Sequence, residues 1–88
     1  MSSAFKTPLT KEDNQKLKQE LSDVVSKRLK TLRKKSGITQ QELAEKAGLH
    51  LTYIAHLELG KYHPSVFVLW KIAQVLEAPL DSFTSQKA

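Results

Sequence analysis

The chain has 88 residues, a formal charge of +5, 40% hydrophobic residues, three glycines, three prolines and no cysteine. Such a length supports one modest core but not a core with a deep catalytic cleft, and the missing thiols exclude disulfides and thiolate metal sites. No stretch reaches the ~20 apolar residues of a membrane span, and the first nine residues lack a signal peptide's apolar block, so a soluble, cytoplasmic chain is expected.

Residues 1–9 carry no periodicity and contain Ser2, Ser3 and Pro8, which predicts a flexible tail. Thr10-Lys11-Glu12-Asp13 is a capping pattern that opens a first helix. Apolar residues then recur at Leu17, Leu21, Val24, Val25, Leu29 and Leu32, one stripe of a helix from about Lys11 to Lys35. Gly37 after Ser36 closes it. This helix begins about two turns earlier than a compact domain needs. Its second half carries Lys27, Arg28, Lys30, Arg33, Lys34 and Lys35 with no acid among them, a block suited to a polyanion.

Thr39-Gln40-Gln41-Glu42 is a capping box for a short second helix that Gly48 ends. A third helix is predicted from about His50 to Leu59, stopped by Gly60. The run from Gly60 to Pro64 reads as a loop, and Ser65 caps a fourth helix that turns Val66, Leu69, Ile72, Ala73 and Leu76 inward, with Trp70 read as a core residue. Pro79 breaks it, and Leu80 to Phe83 make a last turn. No strand pattern occurs, so the expected class is all-α with five helices, a folded domain over residues 10–84 and fraying over 85–88.

Within this frame the most informative stretch is Gln40 to Leu59. Leu43, Ala47, Leu49, Ile54 and Leu57 are spaced to hold two short helices on a core. Ala44 allows the two a close crossing, and Gly48 supplies the positive φ of a tight turn. At 100° per residue, Thr52, His56 and Leu59 face away from Ile54 and Leu57, with Tyr53 and Ala55 on the flanks.

Together with Thr39-Gln40 before it and Leu57-Glu58-Leu59-Gly60-Lys61 after it, this stretch closely resembles the Xre and Cro-like, phage-repressor type of helix-turn-helix family, over about Leu29 to Phe83. The string from Ala47 to Ile54, with Gly60-Lys61 and Pro64-Ser65, looks most like the small controller proteins of restriction-modification systems. The resemblance implies a five-helix phage-repressor-like domain, here with an extended first helix. It also implies a double-stranded-DNA-binding transcriptional regulator, typically a repressor, working as a homodimer on a palindromic operator, with polymerase or another protein as a further partner. Carried over position by position, it puts His50, Leu51, Thr52, Ala55 and His56 beside bases, and Thr39, Gln40, Tyr53, Lys61 and His63 beside phosphates. It further pairs Arg33 with Glu58. The third helix departs from the family in having no Lys or Arg, so guanine readout by a bidentate Arg is replaced by Thr52, His56, a thymine-methyl contact from Leu51 and DNA shape.

Val66, Phe67 and Val75 exceed what one small core hides, which marks Val66, Phe67, Leu80 and Phe83 as the expected dimer surface, with Leu17 and Leu21 as a rival one. His50 and His56 are six apart and cannot share a helical face, so no metal site is expected, nor any cofactor. No nucleophile elbow or phosphate loop is present, and an enzyme is not expected. The rival from another class is an antitoxin-like protein-binding module that uses the long first helix.

Overall fold

The computed structural model describes residues 7–85. Four α-helices follow in order: α1 (Lys11–Lys35), α2 (Gln40–Ala47), α3 (Leu51–Glu58) and α4 (Val66–Leu76), then a 3-10 turn at Leu80–Phe83. No strand forms among the described residues. The expected fifth helix is a single 3-10 turn, with Pro79 as its N-cap and Thr84 as its C-cap. Most of the expected tail and of the expected C-terminal fraying lies outside the described residues.

Each start follows from local chemistry. The Thr10 hydroxyl accepts from the Asp13 amide at 3.1 Å while the Asp13 carboxylate accepts from the Thr10 amide at 2.9 Å. Thr39 and Glu42 repeat this reciprocal cap at 3.0 Å in each direction. Those bonds, the backbone one first, hold the Glu42 carboxyl below the usual range. Ser65 caps α4 through the Val68 amide. His50 and Leu59 fall outside α3 as its caps, and the His50 side chain makes no capping bond. At the end of α4, Glu77 takes a left-handed φ of 52°, and the Ala78 amide reaches back to the Ala73 carbonyl at 3.0 Å. Extended backbone is imposed on Ala78 by Pro79, so the helix must reverse one residue earlier.

The core gathers Val25 and Leu29 of α1, Leu43 and Ala44 of α2, Ile54 and Leu57 of α3, Leu69, Ile72, Ala73 and Leu76 of α4, and Phe83. Helix α1 is the spine: it packs on α3 and on the 3-10 turn, while α2 packs on α3 and α4. At about 1.5 Å per residue its 25 residues run the length of a molecule 43 Å long.

Three expectations are corrected here. Trp70 is 53% exposed because the 100° step turns it away from Leu69, Ile72 and Leu76, and Val66, the first residue of α4, is 69% exposed. Phe83 is fully buried and closes the core, so it has no place on an outer dimer surface. Polar Ser22, Ser26 and Arg33 are buried on the apolar stripe of α1.

Candidate nucleic-acid interface

Helices α2 and α3 are joined by Gly48, Leu49 and His50. Gly48 sits at φ 68°, and the Leu49 amide bonds the Ala44 carbonyl at 2.8 Å, closing α2. A β-carbon built on Gly48 would meet nothing within 4 Å, so the constraint is the dihedral and not the space. Ala44 is buried at the crossing, and Leu43, Ala47, Ile54 and Leu57 anchor the pair on the core. What remains outward is the opposite side of α3. Leu51, Thr52 and Leu59 are exposed there, with His50 at the head and His56 partly covered.

The orientation of this pair is set by a charged hub. Arg33 of α1 grips Glu58 of α3 with two bonds, Nε to Oε2 at 2.6 Å and Nη2 to Oε1 at 3.0 Å. Its remaining arm, Nη1, donates to the Ile38 carbonyl at 2.8 Å in the turn before α2. Gln40, the first residue of α2, donates from Nε2 to Glu58 Oε1 at 3.0 Å. Helices α1, α2 and α3 thus meet at one carboxylate, and the turn before α2 is tied in through the Arg33 guanidinium. Burial by itself would raise the Glu58 carboxyl, but the bonds from Arg33 and Gln40 and the charges of Arg33 and Lys30 outweigh it and hold it low. The same bond to Glu58 raises Arg33, against the opposing effect of burial.

These structural features agree with the comparisons with known proteins. The HTH_3 helix-turn-helix family model matches residues 29–83. The chain belongs to this Xre and Cro-like helix-turn-helix family. Among its relatives, an HTH-type transcriptional regulator of Archaeoglobus fulgidus is 44% identical over 61% of this chain and 77% of its own length. The immunity repressor protein of Bacillus phage phi105 is 35% identical over 72% of this chain and 44% of its own length. SinR, an HTH-type transcriptional regulator of Bacillus subtilis, is 32% identical over 73% and 59%. The crystal structure of an HTH_3 family transcriptional regulator from Vibrio cholerae superposes with a TM-score of 0.72 at 30% identity, covering 75% of this chain and 37% of that one. This is a family of transcriptional regulators.

On the helix-turn-helix the residues expected at bases, His50, Leu51, Thr52, Ala55 and His56, all fall at the head or along the outer side and flank of α3, with Ala55 partly buried. Those expected at phosphates are divided. Lys61 is exposed, and Thr39 is exposed with its side chain engaged in the α2 cap. Gln40 has one amide proton committed to Glu58, and His63 Nδ1 lies 2.6 Å from the Ser22 hydroxyl. Tyr53 stacks on Tyr62 with centroids 5.5 Å apart, and burial, then Tyr62, raises its hydroxyl pKa. The basic block of α1 is divided too: Lys27, Lys30, Lys34 and Lys35 are exposed, whereas Arg33 belongs to the hub and Arg28 Nε donates to the Ser85 carbonyl at 3.3 Å.

Sequence reasoning missed a second, neutral cluster. The Ser22 hydroxyl is also 3.3 Å from the Tyr62 carbonyl, and Tyr62 reaches over α3 to place its hydroxyl 3.1 Å from His56 Nδ1. Gly60, at φ 75°, turns this loop back against α1; a β-carbon there would stand 3.7 Å from Asp23 Oδ1 and Ser26 Oγ, an ordinary contact, so the dihedral and not the space calls for glycine. The middle turns of α1, beyond the two extra ones at its start, therefore seat the loop after α3. No group of three or more His, Cys, Asp or Glu residues suited to a metal occurs among the described residues, and no helix there is long and apolar enough to cross a membrane.

Proposed function

We propose that the protein is a sequence-specific double-stranded-DNA-binding repressor that lays α3 in a major groove and acts as a homodimer on a palindromic operator. The observation that carries this reading is the outward face of α3, headed by His50, Leu51 and Thr52, on a helix pair held rigid from behind by the Arg33–Glu58–Gln40 hub. A helix with a solvated side and a fixed back fits the groove, and side chains near its start reach base edges. The second Gln40 amide proton, the first amides of α2, Lys61 and the free side of the His63 ring flank that helix and suit phosphates. The phage immunity repressor among the relatives supports repression. The dimer rests on α4, where Val66, Phe67 and Trp70 form an exposed apolar set next to Leu69 and the core.

Selection of bound duplexes from a random pool, followed by titration of variants, tests the reading. Two inverted half-sites about one helical turn, roughly 34 Å, apart are expected. Thr52→Ala should relax preference at one base position, whereas Lys61→Ala should weaken all duplexes alike and lower the salt slope by about one. Equal losses on selected and random DNA for Thr52→Ala would remove its reading role, and recovery of lone half-sites would remove the dimer.

A further inference from the structure

We infer that Tyr62 is a positioning residue that sets the donor character of the reading helix by holding His56 with its proton on Nε2, so that His56 selects a keto acceptor on the base edge. This rests on the DNA-reading function proposed above. His56 Nδ1 lies 3.1 Å from the Tyr62 hydroxyl, and the two rings meet edge to face at 5.2 Å and 71°. A phenolic O–H is a better donor than an imidazole N–H, and an imidazole nitrogen a better acceptor than a phenolic oxygen. The hydroxyl therefore donates, Nδ1 accepts, and the single ring proton of neutral His56 sits on Nε2. If the ring gains a second proton, the hydroxyl rotates to accept and Nε2 still carries hydrogen. In either state the nitrogen left for a ligand is a donor.

Tyr62 is well placed to impose this because it is itself held on three sides. Its ring stacks on Tyr53 at 5.5 Å with planes 21° apart. Its carbonyl lies 3.3 Å from the Ser22 hydroxyl, and the next residue, His63, meets the same hydroxyl at 2.6 Å. Ser22 is buried in α1, so the spine of the domain reaches His56 through one loop residue. With its ring plane and tautomer fixed in advance, His56 meets a base without first ordering itself. A fixed N–H donor at this point of a major groove suits guanine O6 or thymine O4 and opposes the amino groups of cytosine and adenine.

Two measurements test this. Proton–nitrogen correlation of the imidazole rings in 15N-labelled free protein, at a pH where they are neutral, should show the Nε2–H pattern for His56. Tyr62→Phe, which keeps the stack and removes the hydroxyl, should shift that pattern toward a mixture of tautomers. In duplex selection the same change should narrow the keto-over-amino preference at one base position by about three- to tenfold, the range of one net hydrogen bond, with the affinity for random duplex unchanged. An Nδ1–H pattern in the wild type would overturn the inference, and that arm needs no variant to fold. Ring signals and base preference both unmoved by Tyr62→Phe would overturn it as well. A wild type that binds no duplex at low salt would overturn the DNA-reading function instead, while the ring signals still decide the role of Tyr62.

Discussion

Helix α1 holds the reading helix and the loop after it at two polar places of opposite character. Toward its C-terminal end, Arg33 meets Glu58 and Gln40 in a buried, charged hub in which the Glu58 side chain is only 2% exposed. About three turns earlier, Ser22 meets Tyr62 and His63 in a neutral cluster whose outer members are exposed. The first fixes the angle of the helix pair, and the second fixes the loop that covers His56. A buried charge is costly to strand, whereas polar groups on exposed residues such as Tyr62 and His63 can turn to water. The two sites should therefore respond very differently to the same kind of damage.

The largest difference should come from removing one partner at each. Glu58→Ala strands the Arg33 guanidinium under α3 and frees Gln40, which should cost about 3–5 kcal/mol, a large share of the ~5–15 kcal/mol that holds a domain of this kind together. Urea midpoints measure it. Replacing both partners by apolar residues, Arg33→Met with Glu58→Leu, should recover most of the loss. A cost for Glu58→Ala below about 1 kcal/mol would place the pair among ordinary surface bridges.

Acid should find the same asymmetry. The Glu58 carboxyl is held below its ordinary range in the fold, whereas in the unfolded chain it titrates near the usual value of about 4.3. Its contribution is therefore complete above that value and drains away as pH falls through the lower, folded one. Glu42, held low by the Thr39 cap, acts with the same sign. Urea midpoints followed downward from neutral pH should decline in that window, and Glu58→Gln should flatten the decline. Midpoints that rise with acid there would contradict the direction assigned to Glu58.

Ser22→Ala comes next. It leaves the Tyr62 carbonyl and His63 Nδ1 without their shared hydroxyl, a loss of about 1 kcal/mol because both can reach water. Its clearer effect should be local: faster amide exchange over residues 60–63 with the core of α1 and α3 unaltered. Uniform loosening of the whole domain would mean that the cluster supports the fold and not the loop.

How much of this could be read from the residues alone follows from the range of each interaction. The helix limits were legible because Thr10, Thr39 and Ser65 cap within three residues of themselves, and Gly37, Gly48 and Gly60 each mark a left-handed turn. The Arg33 and Glu58 pair came from the family resemblance, since nothing in their spacing points from one to the other. Trp70 was misjudged because aromatic size argues for burial, while the 100° step puts it on the side of α4 away from Leu69 and Ile72. The Ser22 cluster was invisible for a deeper reason. A serine inside an amphipathic helix looks like a break in the stripe, and its partners lie about forty residues away beyond two turns. Likewise Tyr62 could be matched to His56 only once Gly60 was known to fold the chain back over α3.

Salt offers the smallest effect and the cleanest separation of the two sites. Lys30 adds its charge to those that keep Glu58 ionised, yet it lies at the surface of α1, so its pull on the hub is screened by solvent and ions. Lys30→Gln should lower stability by about 0.5 kcal/mol or less at low ionic strength, and the deficit should fade once salt brings the Debye length to about 3 Å near 1 M. The loss from Ser22→Ala involves neutral donors and acceptors and should stay constant over the same range. A paired salt series of urea midpoints decides it: parallel lines for wild type and Ser22→Ala, converging lines for wild type and Lys30→Gln. A Ser22→Ala line that converged too would mean that the neutral cluster carries charge, with His63 protonated against the Ser22 hydroxyl, and the contrast between the two sites would then be one of degree.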